Sequence, residues 1–300
     1  MKHLLFLLLI SPIATLYAQQ PIDSVNLMKD IKTLSSDAYE GRATGTKGNR
    51  QAQLYIIDRF RQVGIQPYNG TYEYSFFFQQ GTKRIMGTNL YGYIQGKSDS
   101  VYVISAHFDH LGNIGWANGA DSIYNGADDN ASGIGGLLAI ADYYRRNKPT
   151  HTLVFAAFDA EEVGLRGAAA FVNAFPVPAA KVRLNLNMDM VSHNNKNELY
   201  VCGTYLYANL KPFVTQAAAA SQVKLLMGHD RPTDGSQNWT SQSDHYEFHK
   251  KSIPFLYFGV EDHADYHRLT DEFSRINPSF YYRAVQGVLN TLQLLDAQRL

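Results

Sequence analysis

From Val101 onward the chain alternates short apolar runs with helix-patterned ones, and three apolar runs stop at a side chain able to bind a metal. Residues 101–106 lead into His107, residues 152–158 into Glu161-Glu162, and residues 182–188 into Asp189. The stretches between them, 134–146 and 166–175, carry apolar residues at helical spacing. Such alternation requires crossover connections and so a sheet buried on both faces. Open sheets of this kind place their ligand sites beyond the carboxyl ends of the strands. The pattern therefore predicts that His107, Glu161 and Asp189 share one crevice.

The flanking segments extend the same reading. Helices are expected over 25–34 and 45–63, the second stopped by Gly64, and aromatic, β-branched runs at 72–78 and 89–94 read as a hairpin. Later come a strand at 199–202, a helix at 206–220, a strand at 254–258 and a closing helix from Pro278 to about Ala297. The fold class expected is α/β, a three-layer α/β/α arrangement around a mixed, largely parallel sheet. Three hundred residues, 45% of them apolar, suffice for a single core, so one domain over 19–300 is expected. Residues 1–18 have a basic start, an apolar run from Leu4 to Ile10 and a small-residue exit at Ala18, the layout of a cleavable secretory signal. That run is too short to span a bilayer, so the expected location is periplasmic or secreted, without a membrane anchor. Basic and acidic side chains balance at 27 each, which argues against nucleic acid as a partner. Cys202 is the single cysteine, so no internal disulfide is possible, and its strand context reads as a small core hydrophobe.

Five segments carry the candidate chemistry. His107 ends a strand, and Asp109 lies two residues on; if strand geometry persists, both project to one face and the carboxylate accepts the imidazole's other N–H. In Gly126-Ala-Asp-Asp-Asn-Ala-Ser-Gly133, either Asp128 or Asp129 can bridge two cations roughly 3.5–4 Å apart, the other serving as a helix cap. Asp129 is the preferred bridge. Glu161-Glu162 would repel each other without a cation, which suggests one carboxylate on metal and the other taking a proton from the attacking water. Asp189 ends a doubly buried strand, where an unpaired carboxylate is costly. His267 sits in a polar loop together with His263, and both His263 and His110 compete as ligands. Imidazoles and carboxylates without thiolates suit two borderline-hard ions such as Zn²⁺.

At these residues the chain resembles the M28 family of co-catalytic zinc aminopeptidases. The motifs that carry the resemblance run in order from Val101 to Asp271: His-x-Asp-His, Gly-Ala-Asp-Asp-Asn-x-Ser-Gly, Glu-Glu-x-Gly-Leu-x-Gly, Asn-x-Asp-Met, Ser-Asp-His, and a late Tyr-His with Asp four residues on. Upstream, Glu40-Gly-Arg-x-x-Gly-Thr-x-Gly48 looks like the lead-in of the same group, and no protease-associated insert fits between it and His107. The resemblance implies that His107 and Asp189 hold one zinc, Glu162 and His267 the other, and Asp129 both. It implies Glu161 as general base, Asp109 orienting His107, Tyr266 as an oxyanion donor, and a cis peptide after Asp129. The function implied is a di-zinc exopeptidase releasing N-terminal residues from peptides. The alternative is a single-zinc glutaminyl cyclase on the same fold, and a third reading is a non-catalytic binding module.

Overall fold

The computed structural model describes residues 22–115 and 121–298, so the expected signal segment and Trp116 lie outside the described residues. In chain order the main elements are α1 (Ser24–Leu34), α2 (Lys47–Gln62), β1 (Gln66–Pro67), β2 (Glu73–Gln80), β3 (Lys83–Ile94), β4 (Val101–His107), β5 (Gly112–Asn113), β6 (Ile123–Tyr124), α3 (Gly133–Arg146), β7 (Thr152–Phe158), α4 (Arg166–Asn173), β8 (Val182–Met188), β9 (Glu198–Cys202), α5 (Lys211–Ala220), β10 (Lys224–Met227), α6 (His245–Lys250), β11 (Phe255–Gly259) and α7 (Pro278–Asp296).

Nine strands form the main sheet, in the order β1-β3-β7-β4-β8-β11-β9-β10, with β2 also paired to β3. The centre, β7-β4-β8-β11, is parallel throughout, while β3 and β9 join it antiparallel. The expected α/β class with a mixed, largely parallel sheet is what the strands adopt.

Strand alternation assigns side chains to the two faces. Ile104, Phe155, Leu184, Leu186 and Phe258 enter a large core with α1, α3 and α7. Val101, Val103, Val154 and Phe158 face the other way, into a smaller core with Phe171 of α4 and Phe248 of α6. Cys202 is buried and its thiol is pushed up by burial, in keeping with the core reading. Among the described residues no helix is long and apolar enough to cross a membrane.

Three local differences from the sequence reading have physical causes. The hairpin is longer than expected, because Lys83–Ile94 pairs with β2 as far as Gln80 opposite Lys83, around a turn that needs Gly81 at φ +60°. The helix expected over 206–220 begins only at Lys211, with Pro212 at its first turn. β10 and α6 have four and six residues, too few for periodicity to reveal.

Candidate metal centre

The predicted crevice exists at the carboxyl edge of β4, β7 and β8. Register places His107 on β4 beside the chain leaving β8, and His107 Nε2 lies 3.2 Å from Asp189 Oδ1 and 3.4 Å from Asp129 Oδ1. The other oxygen of Asp129 faces a second group: Oδ2 is 3.0 Å from His267 Nε2, which is 3.2 Å from Glu162 Oε2. Two ligands on a tetrahedral ion with bonds of about 2.05 Å are about 3.3 Å apart. Each half therefore has the edge lengths of a cation site, with Asp129 turned to both.

The backbone around these groups is unusual. Ala160, Met190 and His267 adopt positive φ of 61°, 57° and 54° immediately beside or at the candidate groups. Non-glycine residues in this region cost roughly 1–3 kcal/mol each and persist where the surroundings over-determine them. The Asp129-Asn130 peptide is cis, as the resemblance implied. Gly126 is at φ +54°, and a Cβ there would lie 2.1 Å from the Asp129 carbonyl oxygen and 2.5 Å from the His110 ring, so only glycine lets this turn close.

Hydrogen bonds fix the carboxylates. Ser243 Oγ donates to Asp189 Oδ2 at 2.8 Å, leaving Oδ1 toward His107. Asp271 accepts from the backbone N–H groups of Asp128 and Asp129 at 2.9 and 3.0 Å. Asp128 Oδ1 takes bonds from Ser192 N and Oγ, and its Oδ2 one from His263 Nε2 at 2.9 Å. Asp128 and His263 thus engage each other rather than the crevice. His110 Nδ1 is 2.6 Å from Glu162 Oε1, shorter than a ligand edge and suited to a charge-assisted hydrogen bond. His193 and Asp265 form a further group with His263, in which Arg275 Nε already lies 3.3 Å from Asp265 Oδ2.

Asp109 differs from the sequence expectation. β4 ends at His107, so strand geometry does not continue, and His107 Nδ1 lies nearest the backbone oxygen of Asp109, at 3.2 Å. The Asp109 carboxylate is 3.7 Å from that nitrogen and accepts from the N–H groups of Glu161 and Glu162 at 3.0 and 3.3 Å. One residue therefore steadies both the imidazole and the Glu-Glu turn.

Electrostatics fit a cationic occupant. Burial first, then Glu162, pushes the Asp129 carboxyl up, with His110 and His267 opposing. Burial also raises Glu161, His107 opposing, with Asp189, Asp244 and Glu162 adding to the rise. Glu162 goes the other way: burial would raise it, but hydrogen bonds from His110 and His267 hold it well below the usual range. So many carboxylates in a buried edge repel one another, and divalent cations between them would relieve it. Glu161, Tyr266, Trp239, Tyr257 and Met190 line the adjoining cleft of about 260 Å³ with the ligand-type residues.

One important residue escaped the sequence reading. Arg42 of the lead-in is fully buried and donates to four backbone carbonyls: Leu34 and Asn125 at 2.6 Å, Phe108 at 2.8 Å and Gly126 at 2.9 Å. Burial pulls it down to about 10, with Asp129, Asp271, Asp109 and Glu162 sustaining its charge. It joins the loop after β4 to the turn carrying Asp129. The Glu40-Gly41-Arg42 motif was visible, but acceptors on the backbone leave no mark in a sequence.

The chain belongs to peptidase family M28, whose description matches residues 89–292. Among curated proteins it is similar to the alkaline phosphatase isozyme conversion protein of Escherichia coli K12, 27% identical over 139 residues, covering 43% of this chain and 40% of that one. It is also similar to leucine aminopeptidase 2 of Trichophyton rubrum, 28% identical over 174 residues, 55% of this chain and 32% of that one. The chain thus spans less than half the length of these curated relatives. A zinc aminopeptidase from Bacillus subtilis shares the fold at TM-score 0.72 and 16% identity, over 91% of this chain and 95% of that one. A glutaminyl cyclase from Bacteroides thetaiotaomicron does so at TM-score 0.71 and 18% identity, over 91% and 98%.

Proposed function

We propose that this chain is a two-zinc exopeptidase that releases N-terminal residues from peptides. The observation that carries the reading is Asp129, whose two oxygens address two separate imidazole-carboxylate groups, His107 with Asp189 and His267 with Glu162. Those five residues would hold the two ions. Bound there, divalent zinc supplies Lewis acidity toward the scissile carbonyl and makes water more acidic. Glu161 lines the cleft without being needed as a ligand, and its raised pKa suits a general base that takes a proton from water and passes it to the leaving amine. Tyr266 lines the same cleft, with its ring centroid 4.0 Å from that of His267, and would donate to the developing oxyanion. Trp239 and Tyr257 offer apolar walls to the substrate side chain. Export of the mature chain rests on the layout of residues 1–18.

The test pairs metal analysis with a substrate panel. Two equivalents of zinc per chain and hydrolysis of free but not N-blocked aminoacyl amides are expected. One equivalent together with cyclisation of an N-terminal glutamine peptide would replace the reading with the cyclase, and equal turnover of N-blocked substrates would remove the aminopeptidase assignment.

A further inference from the structure

Two asparagines lie where a sheet interior ordinarily takes aliphatic residues. Asn185 and Asn187 on β8 are fully buried, and an amide buried without partners is destabilising. Register explains their company. On the face opposite the large core, β8 presents Asn185 and Asn187, which lead up to Asp189. Next to them β4 presents Val103 and Ser105, paired in register with Asn185 and Asn187, and then His107. The candidate metal edge is the top rung of a polar ladder.

The ladder is bonded throughout. Asn185 Nδ2 donates to the Val103 carbonyl at 3.2 Å and to Ser105 Oγ at 2.9 Å. Ser105 Oγ donates to Asn187 Oδ1 at 2.6 Å, Asn187 Nδ2 to Ser243 Oγ at 3.0 Å, and Ser243 Oγ to Asp189 Oδ2 at 2.8 Å. Its direction is forced from both ends. A carbonyl only accepts, so the Asn185 amide must turn its NH₂ to Val103; an ionised carboxylate only accepts, so Ser243 must spend its one hydrogen on Asp189. Ser243 can then only receive from Asn187, whose oxygen is left for Ser105. From Asn185 through Ser105, Asn187 and Ser243, each link donates toward Asp189. The arrangement leaves Asn185 Oδ1 buried without a hydrogen-bond partner among the described residues.

We propose that Asn185, Ser105 and Asn187 are positioning residues that act through Ser243 on Asp189, polarising a one-way donor chain so that Oδ2 stays occupied and Oδ1 alone meets the metal beside His107. The inference rests on the metal half of the proposed function, not on the reaction. Aligned hydrogen bonds reinforce one another in a low-dielectric interior, so each donor strengthens the next. Loss of such outer partners typically lowers metal affinity about 10–100-fold.

The experiment measures Co²⁺ and Zn²⁺ affinities and the Co²⁺ visible spectrum of the full chain. Ser243→Ala is expected to weaken the tighter equivalent about 10-fold, Ser105→Ala to weaken it less with a shifted spectrum, and Ser105→Thr to restore both. Unfolding of the metal-free variants by denaturant separates this from lost packing. In the Ser243→Ala background, Ser105→Ala should have no further effect on affinity, because the connection is already cut. An unchanged affinity and spectrum in Ser105→Ala, or an equal loss in both backgrounds, overturns the proposal. Absence of any bound metal in the unaltered chain overturns it together with the two-zinc reading. Metal bound without peptide hydrolysis sinks only that reading and leaves the ladder to be judged on its own affinities.

Discussion

The two halves of the candidate metal centre are built from different material. His107 and Asp189 stand at the ends of adjacent central strands and are 1% and 7% exposed. Glu162 and His267 come from loops, and the His267 side chain is 37% exposed on a backbone at φ +54°. One half inherits its rigidity from the sheet. The other is held by cross-links, His110 to Glu162 and Asp271 to the Asp129 turn. Loops of this kind open locally at lower free energy than central strands do. The same aspartate faces a buried, strand-end pair on one side and a more exposed, loop-borne pair on the other.

The largest expected effect tests whether Glu161 belongs to either half. Glu161→Gln should lower kcat by about 10³-fold while two metal equivalents remain bound; loss of a metal instead would make Glu161 part of the holding set. Arg42→Met should cost about 3–5 kcal/mol in denaturant unfolding, because four buried carbonyls lose a charged donor and the link between the β4 loop and the Asp129 turn goes with it. A cost below about 1 kcal/mol would mean the two segments hold each other without it. Chelator titration should remove one equivalent about 10-fold more readily than the other. His267→Ala should abolish the labile one alone, whereas His107→Ala should abolish the tight one; equal lability would erase the contrast. The smallest effect concerns pH. Glu161 must be ionised to accept a proton, so activity falls as pH drops through its raised pKa. Removing a neighbouring negative charge with Asp244→Asn lowers that pKa and should move the acid limb of kcat/KM to lower pH. A limb that stays put would detach Asp244 from Glu161.

Much of this architecture was legible because burial writes a period into sequence. The apolar runs at 101–106, 152–158 and 182–188 each stop short of a candidate group, and those strand ends announce the crevice. The groups expected at the centre, His107, Asp129, Glu162, Asp189 and His267, do converge. What stayed hidden lacks periodicity or a side-chain partner. Arg42 bonds to carbonyls that any residue could offer. Asp109 also accepts from the backbone of the Glu161-Glu162 turn, a contact that spacing within one strand does not announce. Asn185 and Asn187 were in plain view as part of a strand, yet their meaning depends on lying beside Ser105, a neighbour 80 residues away from Asn185.

Arg42 also bears on where this molecule may be cut. The stretch recognisable as family begins at residue 89, yet the guanidinium that fastens the Asp129 turn enters from well before that point. A fragment trimmed to the recognisable stretch would keep every candidate ligand and lose the bolt behind the Asp129 turn, along with β2 and its pairing to β3. Expression boundaries and grafts onto other scaffolds should therefore carry the first helices as part of the folded unit that holds the candidate site.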